Sequence, residues 1–130
     1  MIEILVVTLG KHGASLIDAG QRIIGGSSHL HSLTLEWHEG LDAMTKRLDD
    51  TLASFEHAEG VLLLTDIFGS TATNIALDKA SPGKVEVVTG VNLPMIIKAT
   101  TLADSVTVAQ AANMVCNQGR KAIRIAGEML

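Results

Sequence analysis

The chain has 130 residues, of which 47% are hydrophobic and 2% aromatic, and its 10 basic and 14 acidic side chains give a net charge of −4. This length predicts one domain, residues 1–130, that can bury a core without disulfide or metal staples. The acidic balance and the scarcity of aromatic side chains argue against nucleic-acid binding, by charge or by base stacking.

Short apolar runs, which predict strands, alternate along the chain with segments of helical periodicity. The predicted elements, in chain order, are strand Ile2–Thr8, helix Ala14–Ile24, strand Leu33–Trp37, helix Leu41–Phe55, strand Gly60–Thr65, helix Ala72–Ala80, strand Lys84–Thr89, a short helix from Pro94, helix Val106–Gln118 closed by Gly119, and a last short strand Ala122–Ala126. Continuous apolar strands that alternate with helices are typical of a parallel sheet covered on both faces. The predicted fold class is therefore a three-layer α/β/α fold with a mostly parallel sheet.

The strands also differ in how apolar they are. The first and third predicted strands are the most apolar and should be central, whereas the second alternates and should lie outside. This predicts the sheet order 2-1-3-4, in which the chain leaves strands 1 and 3 in opposite directions. Open α/β sheets bind ligands at such a switch point, beyond the carboxyl ends of the strands. The loops Gly10–Gly13 and Asp66–Thr71 are therefore expected to form the functional site.

These two loops place a histidine, His12, near a carboxylate, Asp66. A carboxylate that accepts a hydrogen bond from one imidazole N–H fixes the tautomer, and the other ring nitrogen can then act as a nucleophile or base. A phosphoryl group on that nitrogen would meet the N–H groups of two helix N-termini. His12 and Asp66 are the predicted catalytic residues.

The same loops supply the predicted phosphate-binding residues. Ser70 and Thr71 offer hydroxyl donors at the start of a helix, and Gly13 and Gly69 are the neighbouring loop glycines. No Walker motif or Gly-x-Gly-x-x-Gly fingerprint occurs, which argues against a nucleotide-binding flavodoxin-like domain, and no cofactor is predicted.

The remaining reactive side chains predict no further chemistry. The other histidines lack cysteine partners and the His-Glu-x-x-His spacing, so no metal site is predicted. Cys116, the single cysteine, lies in an apolar helical pattern and is interpreted as a core residue. No run approaches 18 apolar residues and the N-terminus has no basic region, so neither membrane insertion nor a signal peptide is predicted. These features favour the cytoplasm.

Three sequence blocks follow one another along the chain: Val6–Gly13 (VVTLGKHG), Gly60–Thr71 (GVLLLTDIFGST) with Asn74 in register, and Gly90–Met95 (GVNLPM). In this order and spacing, they resemble the mannose/fructose-type enzyme IIA component of the bacterial phosphoenolpyruvate-dependent sugar phosphotransferase system. Together with the strand–helix order, the resemblance covers nearly the whole chain.

The resemblance implies a phosphoryl carrier. The family's phosphorylated histidine falls on His12, which would accept a phosphoryl group on Nε2 from the histidine phosphocarrier protein HPr and pass it to a IIB domain. The family's orienting aspartate falls on Asp66, and its phosphate-side hydroxyl falls on Thr71. A homodimer in which the last strand crosses to the partner is also implied, and the high apolar content agrees with it.

The chain departs from the family pattern Gly-Gly-[Ser/Thr]-Pro, because it reads Gly-Ser-Thr-Ala over residues 69–72, and Lys11 precedes the histidine. Two other functions remain open at this point. One is a regulatory binding module in which phosphorylation acts as a signal, and the other is the related relay domain of a dihydroxyacetone kinase system. The sequence names no sugar.

Overall fold

The structure is a computed structural model that describes residues 1–102 and 104–129. Its elements are β1 (Ile2–Leu9), α1 (His12–Ile24), β2 (Leu30–Leu35), α2 (Leu41–Ala53), β3 (Gly60–Thr65), α3 (Thr71–Leu77), β4 (Val85–Val88), α4 (Leu93–Thr100), α5 (Val108–Lys121) and a 3₁₀ helix (Ala126–Met129).

The four strands form one parallel sheet in the order β2-β1-β3-β4, which confirms the predicted order and fold class. The two central strands are the most apolar ones, because both of their faces are covered by helices. Val7 of β1 pairs with Thr65 of β3, so these two strands end at the same edge of the sheet. The chain segments that contain His12 and Asp66 begin there.

Two hydrophobic clusters cover the two faces of the sheet. On one face α1, α4 and α5 contribute buried side chains that include Ile17, Ile96 and Val115. On the other face α2 and α3 contribute Leu48 and Ile75, among others. Each fully buried aliphatic side chain of this size stabilises the fold by roughly 1.5–3 kcal/mol. Helices that carry such side chains on one side therefore pack against both faces of the sheet, which gives three layers.

Two predicted boundaries are wrong for reasons of packing. Gly119 does not end α5 but lies inside it, where a Cβ would come within 2.7 Å of Met95 Cγ, so this glycine permits close contact between α4 and α5. The second strand covers Leu30–Leu35 rather than Leu33–Trp37. Trp37 lies beyond the strand and is 76% exposed.

The predicted C-terminal strand is not formed within this chain. Residues 123–125 have no assigned secondary structure, and Ala126–Met129 form a 3₁₀ helix. Ile123 and Ile125 are exposed. A strand requires a backbone neighbour, and no strand of the described residues pairs with this segment.

Glu3 ties β1 to β2 at the amino end of the sheet, far from the loops that follow β1 and β3. Its carboxylate lies 3.1 Å from His29 Nδ1 and 2.7 Å from His31 Nε2, and the His31 ring also contacts Phe55. Burial raises the pKa of Glu3, but the two histidine contacts outweigh it and the pKa lies below its ordinary value. Since the three side chains are paired with each other, we interpret the cluster as structural.

Candidate functional site

The loop that presents His12 is shaped by one threonine. Thr8, buried at the end of β1, donates its hydroxyl to the Gly10 carbonyl at 2.7 Å and accepts the Gly13 N–H at 3.2 Å. Gly10 has a φ of +98°, which glycine adopts without strain. The chain therefore turns sharply after β1, and His12 becomes the first residue of α1.

Gly13, a predicted phosphate-binding residue, is in contact with Thr8 in this structure. Its N–H is already hydrogen-bonded to Thr8, so in this structure it is not a free donor for a phosphate. A Cβ at Gly13 would lie 2.7 Å from Thr8 Oγ1, which shows that the glycine is needed for close packing of α1 on β1.

Asp66 directly follows β3, and both of its carboxylate oxygens accept hydrogen bonds. Oδ2 accepts the Leu9 N–H at 3.0 Å, while Oδ1 accepts the Ile67 N–H at 2.7 Å and the Ser70 hydroxyl. Burial raises the pKa of Asp66, but these hydrogen bonds and the nearby His12 outweigh it, so the pKa lies below its ordinary value. The carboxylate is therefore ionised near neutral pH.

The loop after β4 braces the Asp66 segment from the other side. Gly90 donates its N–H to the Asp66 carbonyl at 2.8 Å, and Val91 donates to the Thr65 carbonyl at 2.9 Å. Asn92 then caps α4 by accepting the Met95 N–H. The third sequence block thus holds the backbone of the site in place.

The structure brings the two predicted catalytic residues together. His12 Nε2 lies 4.0 Å from Asp66 Oδ2, which is longer than a hydrogen bond. The imidazole is 54% exposed, whereas the Asp66 side chain is only 10% exposed. Asp66 is fixed by its neighbours, and His12 is free to meet a partner from solvent.

The start of α3 departs from the sequence expectation. Ser70 is the N-cap, with φ −70° and ψ 163°, and its hydroxyl oxygen accepts the Thr73 N–H at 3.0 Å while its proton goes to Asp66. It is therefore not a free phosphate donor in this structure. The positive φ of the loop falls on Gly69, at +91°, and Thr71 occupies the first helical position.

An open cavity of about 560 Å³ surrounds His12 and is lined by Leu9, Gly10, Lys11, His12, Trp37, Asp66, Ile67, Ser70 and Val91. Of the six predicted site residues, His12, Asp66 and Ser70 line it, whereas Gly13, Gly69 and Thr71 do not. Of these lining residues, Trp37 and Ile67 expose most of their side chains. We name these two the apolar rim.

Sequence reasoning missed the buried hydroxyls that shape the site. Thr8 and Thr73 are both buried, and each makes several hydrogen bonds to loop groups. A preference for Ser at a helix N-cap was a usable signal for the role of Ser70. No comparable local signal identifies the partners of Thr8 or Thr73.

A match to a protein-family model shows which family the chain belongs to. The sequence model of the family described as "PTS system fructose IIA component" matches residues 3–116. The chain belongs to this family. Its members are components of the phosphotransferase system, so this IIA component has a transferase role in phosphoryl transfer.

Individual proteins of the phosphotransferase system are also similar to this chain. The IIA component is 23% identical over 131 residues to the fructose-specific EIIA component of Bacillus subtilis (strain 168), covering 100% of this chain and 90% of that protein. It is 24% identical over 107 residues to the mannose-specific EIIAB component of Escherichia coli (strain K12), covering 77% of this chain but 32% of that longer protein.

A solved structure shows the same fold. The phosphotransferase system component EIIA of Streptococcus agalactiae superposes with a TM-score of 0.85 at 20% identity, covering 98% of this chain and 99% of that chain. Within the described residues, every helix of the IIA component is too short or too polar to cross a bilayer.

Proposed function

We propose that the IIA component accepts a phosphoryl group on His12 from phospho-HPr and passes it to a IIB domain. The observation that supports this most directly is a half-exposed histidine at the start of α1, with an ionised carboxylate, held by hydrogen bonds to both of its oxygens, 4.0 Å from its ring. Such a pair provides an oriented nucleophile that solvent and a partner protein can both reach.

In the transfer step, a lone pair of a His12 ring nitrogen attacks the phosphorus of phospho-HPr. A new P–N bond forms while the P–N bond of the donor breaks, and the electron pair of the broken bond returns to the donor nitrogen. Asp66 accepts the N–H of the other His12 ring nitrogen and stabilises the positive charge that the imidazole gains. Transfer to the IIB domain repeats the exchange in the opposite sense.

The phosphorylated nitrogen is proposed to be Nε2, on the ground of the family resemblance alone. A phosphoryl group and the ionised Asp66 repel each other, so the phosphorylated nitrogen must point away from this carboxylate. In the structure Nε2 is the nitrogen that faces Asp66. Phosphorylation at Nε2 therefore requires the half-exposed ring to reorient, so that Nδ1–H meets Oδ2.

The phosphoryl oxygens would be held near two helix starts. The N-terminus of α1 favours negative charge, and His12 is its first residue. Thr71 is the first residue of α3 and is only partly buried, so its hydroxyl and N–H are proposed donors. Gly69, with its positive φ, gives the loop the turn that leads to this position.

Removing the Thr71 hydroxyl should weaken this contact. A hydrogen bond to a charged group is worth about 1.5–3 kcal/mol, so Thr71→Val should slow transfer by roughly 10- to 150-fold. The measurement is the rate of phosphoryl exchange with HPr. Thr71→Ser, the control, should be nearly silent, and a wild-type rate for Thr71→Val would remove the hydroxyl from the proposal.

Donor and acceptor are proposed to be proteins because the apolar rim lies beside His12. Trp37 is 76% exposed and Ile67 is 68% exposed. Large apolar side chains grouped at the surface mark protein contact sites more often than binding sites for small polar ligands. A cytoplasmic location is proposed with this partner set.

We propose a homodimer that forms at the edge of the sheet where β4 lies. β4 has β3 as its one strand neighbour among the described residues, and a groove of about 680 Å³ lies between β4 and α5. The exposed Ile123 and Ile125 lie in the segment that leaves α5. We propose that residues 122–129 of a second copy occupy this groove and pair with the open edge.

Deleting residues 122–130, which leaves α5 intact, should convert the dimer to monomer or cause aggregation, because the groove and the edge of β4 lose their cover. The measurement is light scattering coupled to size-exclusion chromatography. Ile23→Asp changes an exposed isoleucine of α1 that does not line the groove, and it should leave the dimer unchanged. A soluble, active monomer after the deletion would refute this dimer.

The proposed activity is tested by incubating the IIA component with phosphoenolpyruvate, enzyme I and HPr and measuring its intact mass. The mass should rise by one phosphoryl group, and acid should remove it because a protonated P–N bond hydrolyses readily. Addition of a cognate IIB domain should return the mass to its starting value. Failure to gain the group in the presence of active HPr would contradict the proposal.

A further inference from the structure

Ser70 belongs to a network of hydrogen bonds that ends at Asp66. The roles proposed above for His12, Asp66 and Thr71 do not account for this network. Its hydroxyl donates to Asp66 Oδ1 and accepts the Thr73 N–H at 3.0 Å. Thr73 Oγ1 lies 2.8 Å from the Ile67 carbonyl, 2.9 Å from Thr65 Oγ1 and 3.1 Å from Ser70 Oγ. Thr65 and Thr73 are fully buried.

The donors and acceptors of this network can be assigned without conflict. The Thr73 hydroxyl donates to the Ile67 carbonyl, which can only accept, and the Thr65 hydroxyl donates to Thr73. Ser70 is then left with one proton, and this proton points to Asp66. Because the Ser70 oxygen also accepts the Thr73 N–H, the direction of its one proton towards Asp66 is the favourable orientation of this hydroxyl.

This network determines which oxygen of the Asp66 carboxylate remains available to His12. Oδ1 receives two donors, from Ile67 and Ser70, and Oδ2 receives only the Leu9 N–H. The remaining acceptor capacity of the carboxylate is therefore on Oδ2, the oxygen that faces His12. Without the Ser70 hydroxyl, Asp66 loses one of the contacts that prevent rotation of its carboxylate plane.

We infer that Ser70 is a positioning residue, which caps α3 and at the same time orients the Asp66 carboxylate towards His12. This inference rests on the proposed function of His12. The residue acts through Asp66 and touches no phosphoryl group. The serine stands where the family pattern has glycine, so this chain has a side-chain contact to its aspartate that a glycine cannot make.

Ser70→Gly separates capping from positioning. Glycine is itself an acceptable N-cap, so the helix should persist, but the donor to Oδ1 is lost. We expect the maximal rate of phosphoryl transfer from HPr to fall about tenfold with an unchanged KM for phospho-HPr, and Ser70→Thr to restore it. Thr107→Gly removes the N-cap side chain of α5, away from His12, and should leave the rate unchanged.

A second readout does not depend on activity. The Asp66 carboxyl, followed by carbon NMR in the unphosphorylated protein, should show a raised pKa in Ser70→Gly because a donor to its ionised form is gone. A wild-type transfer rate together with an unchanged Asp66 titration would overturn the positioning role. If wild-type protein takes no phosphoryl group at all, the proposed function fails, while the Asp66 titration still tests Ser70.

Discussion

His12→Ala should abolish phosphorylation of the IIA component by phospho-HPr. The imidazole provides the attacking nitrogen, and no other histidine of the described residues lines the cavity around Asp66. Alanine also favours the helix in which residue 12 stands, so the variant should fold. The expected result in the intact-mass assay is therefore a complete loss of the phosphoryl group with a normal thermal unfolding curve.

A matched control is available for this change. The side chain of His57 is 94% exposed and lies in the loop before β3, so His57→Ala removes an imidazole without disturbing the core. This variant should be labelled as fast as wild type. Labelling that persists in His12→Ala would show that another residue accepts the phosphoryl group.

Asp66→Asn should keep the fold and slow phosphoryl transfer by roughly 10²–10⁴-fold, the range seen when an orienting or acid–base group is lost. The amide oxygen is expected to take the Oδ1 position, where Ile67 and Ser70 donate. The amide NH₂ would then take the place of Oδ2, facing the Leu9 N–H and His12. The Leu9 N–H would lose its acceptor, and His12 would face a donor instead of an acceptor. The imidazole would present the wrong tautomer.

The lost acceptor at Leu9 should also reduce the free energy of unfolding, by about 1 kcal/mol, because this N–H is only partly buried. Asp18→Asn is the control, because Asp18 lies on the exposed side of α1 in a surface ion pair with Arg22. Transfer rates are measured by rapid quench with phospho-HPr. A wild-type rate in Asp66→Asn would show that Asp66 stabilises the loop and has no role in phosphoryl transfer.

The strand order and the location of the site could be predicted from the sequence because both depend on hydrophobic continuity. β1 and β3 are apolar on both faces, and that alone makes them central and brings the loops after Leu9 and Thr65 together. For Ser70 the sequence predicts phosphate binding, whereas its hydrogen bond to Asp66 could not be predicted, because the direction of that carboxylate depends on the folded loop.

Predictions from the local sequence were wrong where a contact with a distant part of the chain decides the structure. Glycine after a helical run is typical of a helix end, yet Gly119 lies inside α5 because Met95 packs against it. Alternation over Ala122–Ala126 is typical of a strand, but a strand forms only where another backbone is available to pair with it. Neither outcome depends on the local sequence, since each is decided by a neighbour distant in the chain.

The most direct measurement is nitrogen NMR of the histidine-labelled protein after phosphorylation by phosphoenolpyruvate, enzyme I and HPr. The spectrum reports each of the five histidines and shows which ring nitrogen bears phosphorus. The account predicts one phosphohistidine, at His12, with the phosphoryl group on Nε2 and a proton on Nδ1. An unphosphorylated His12, or phosphorus on His29 or His31, would contradict it.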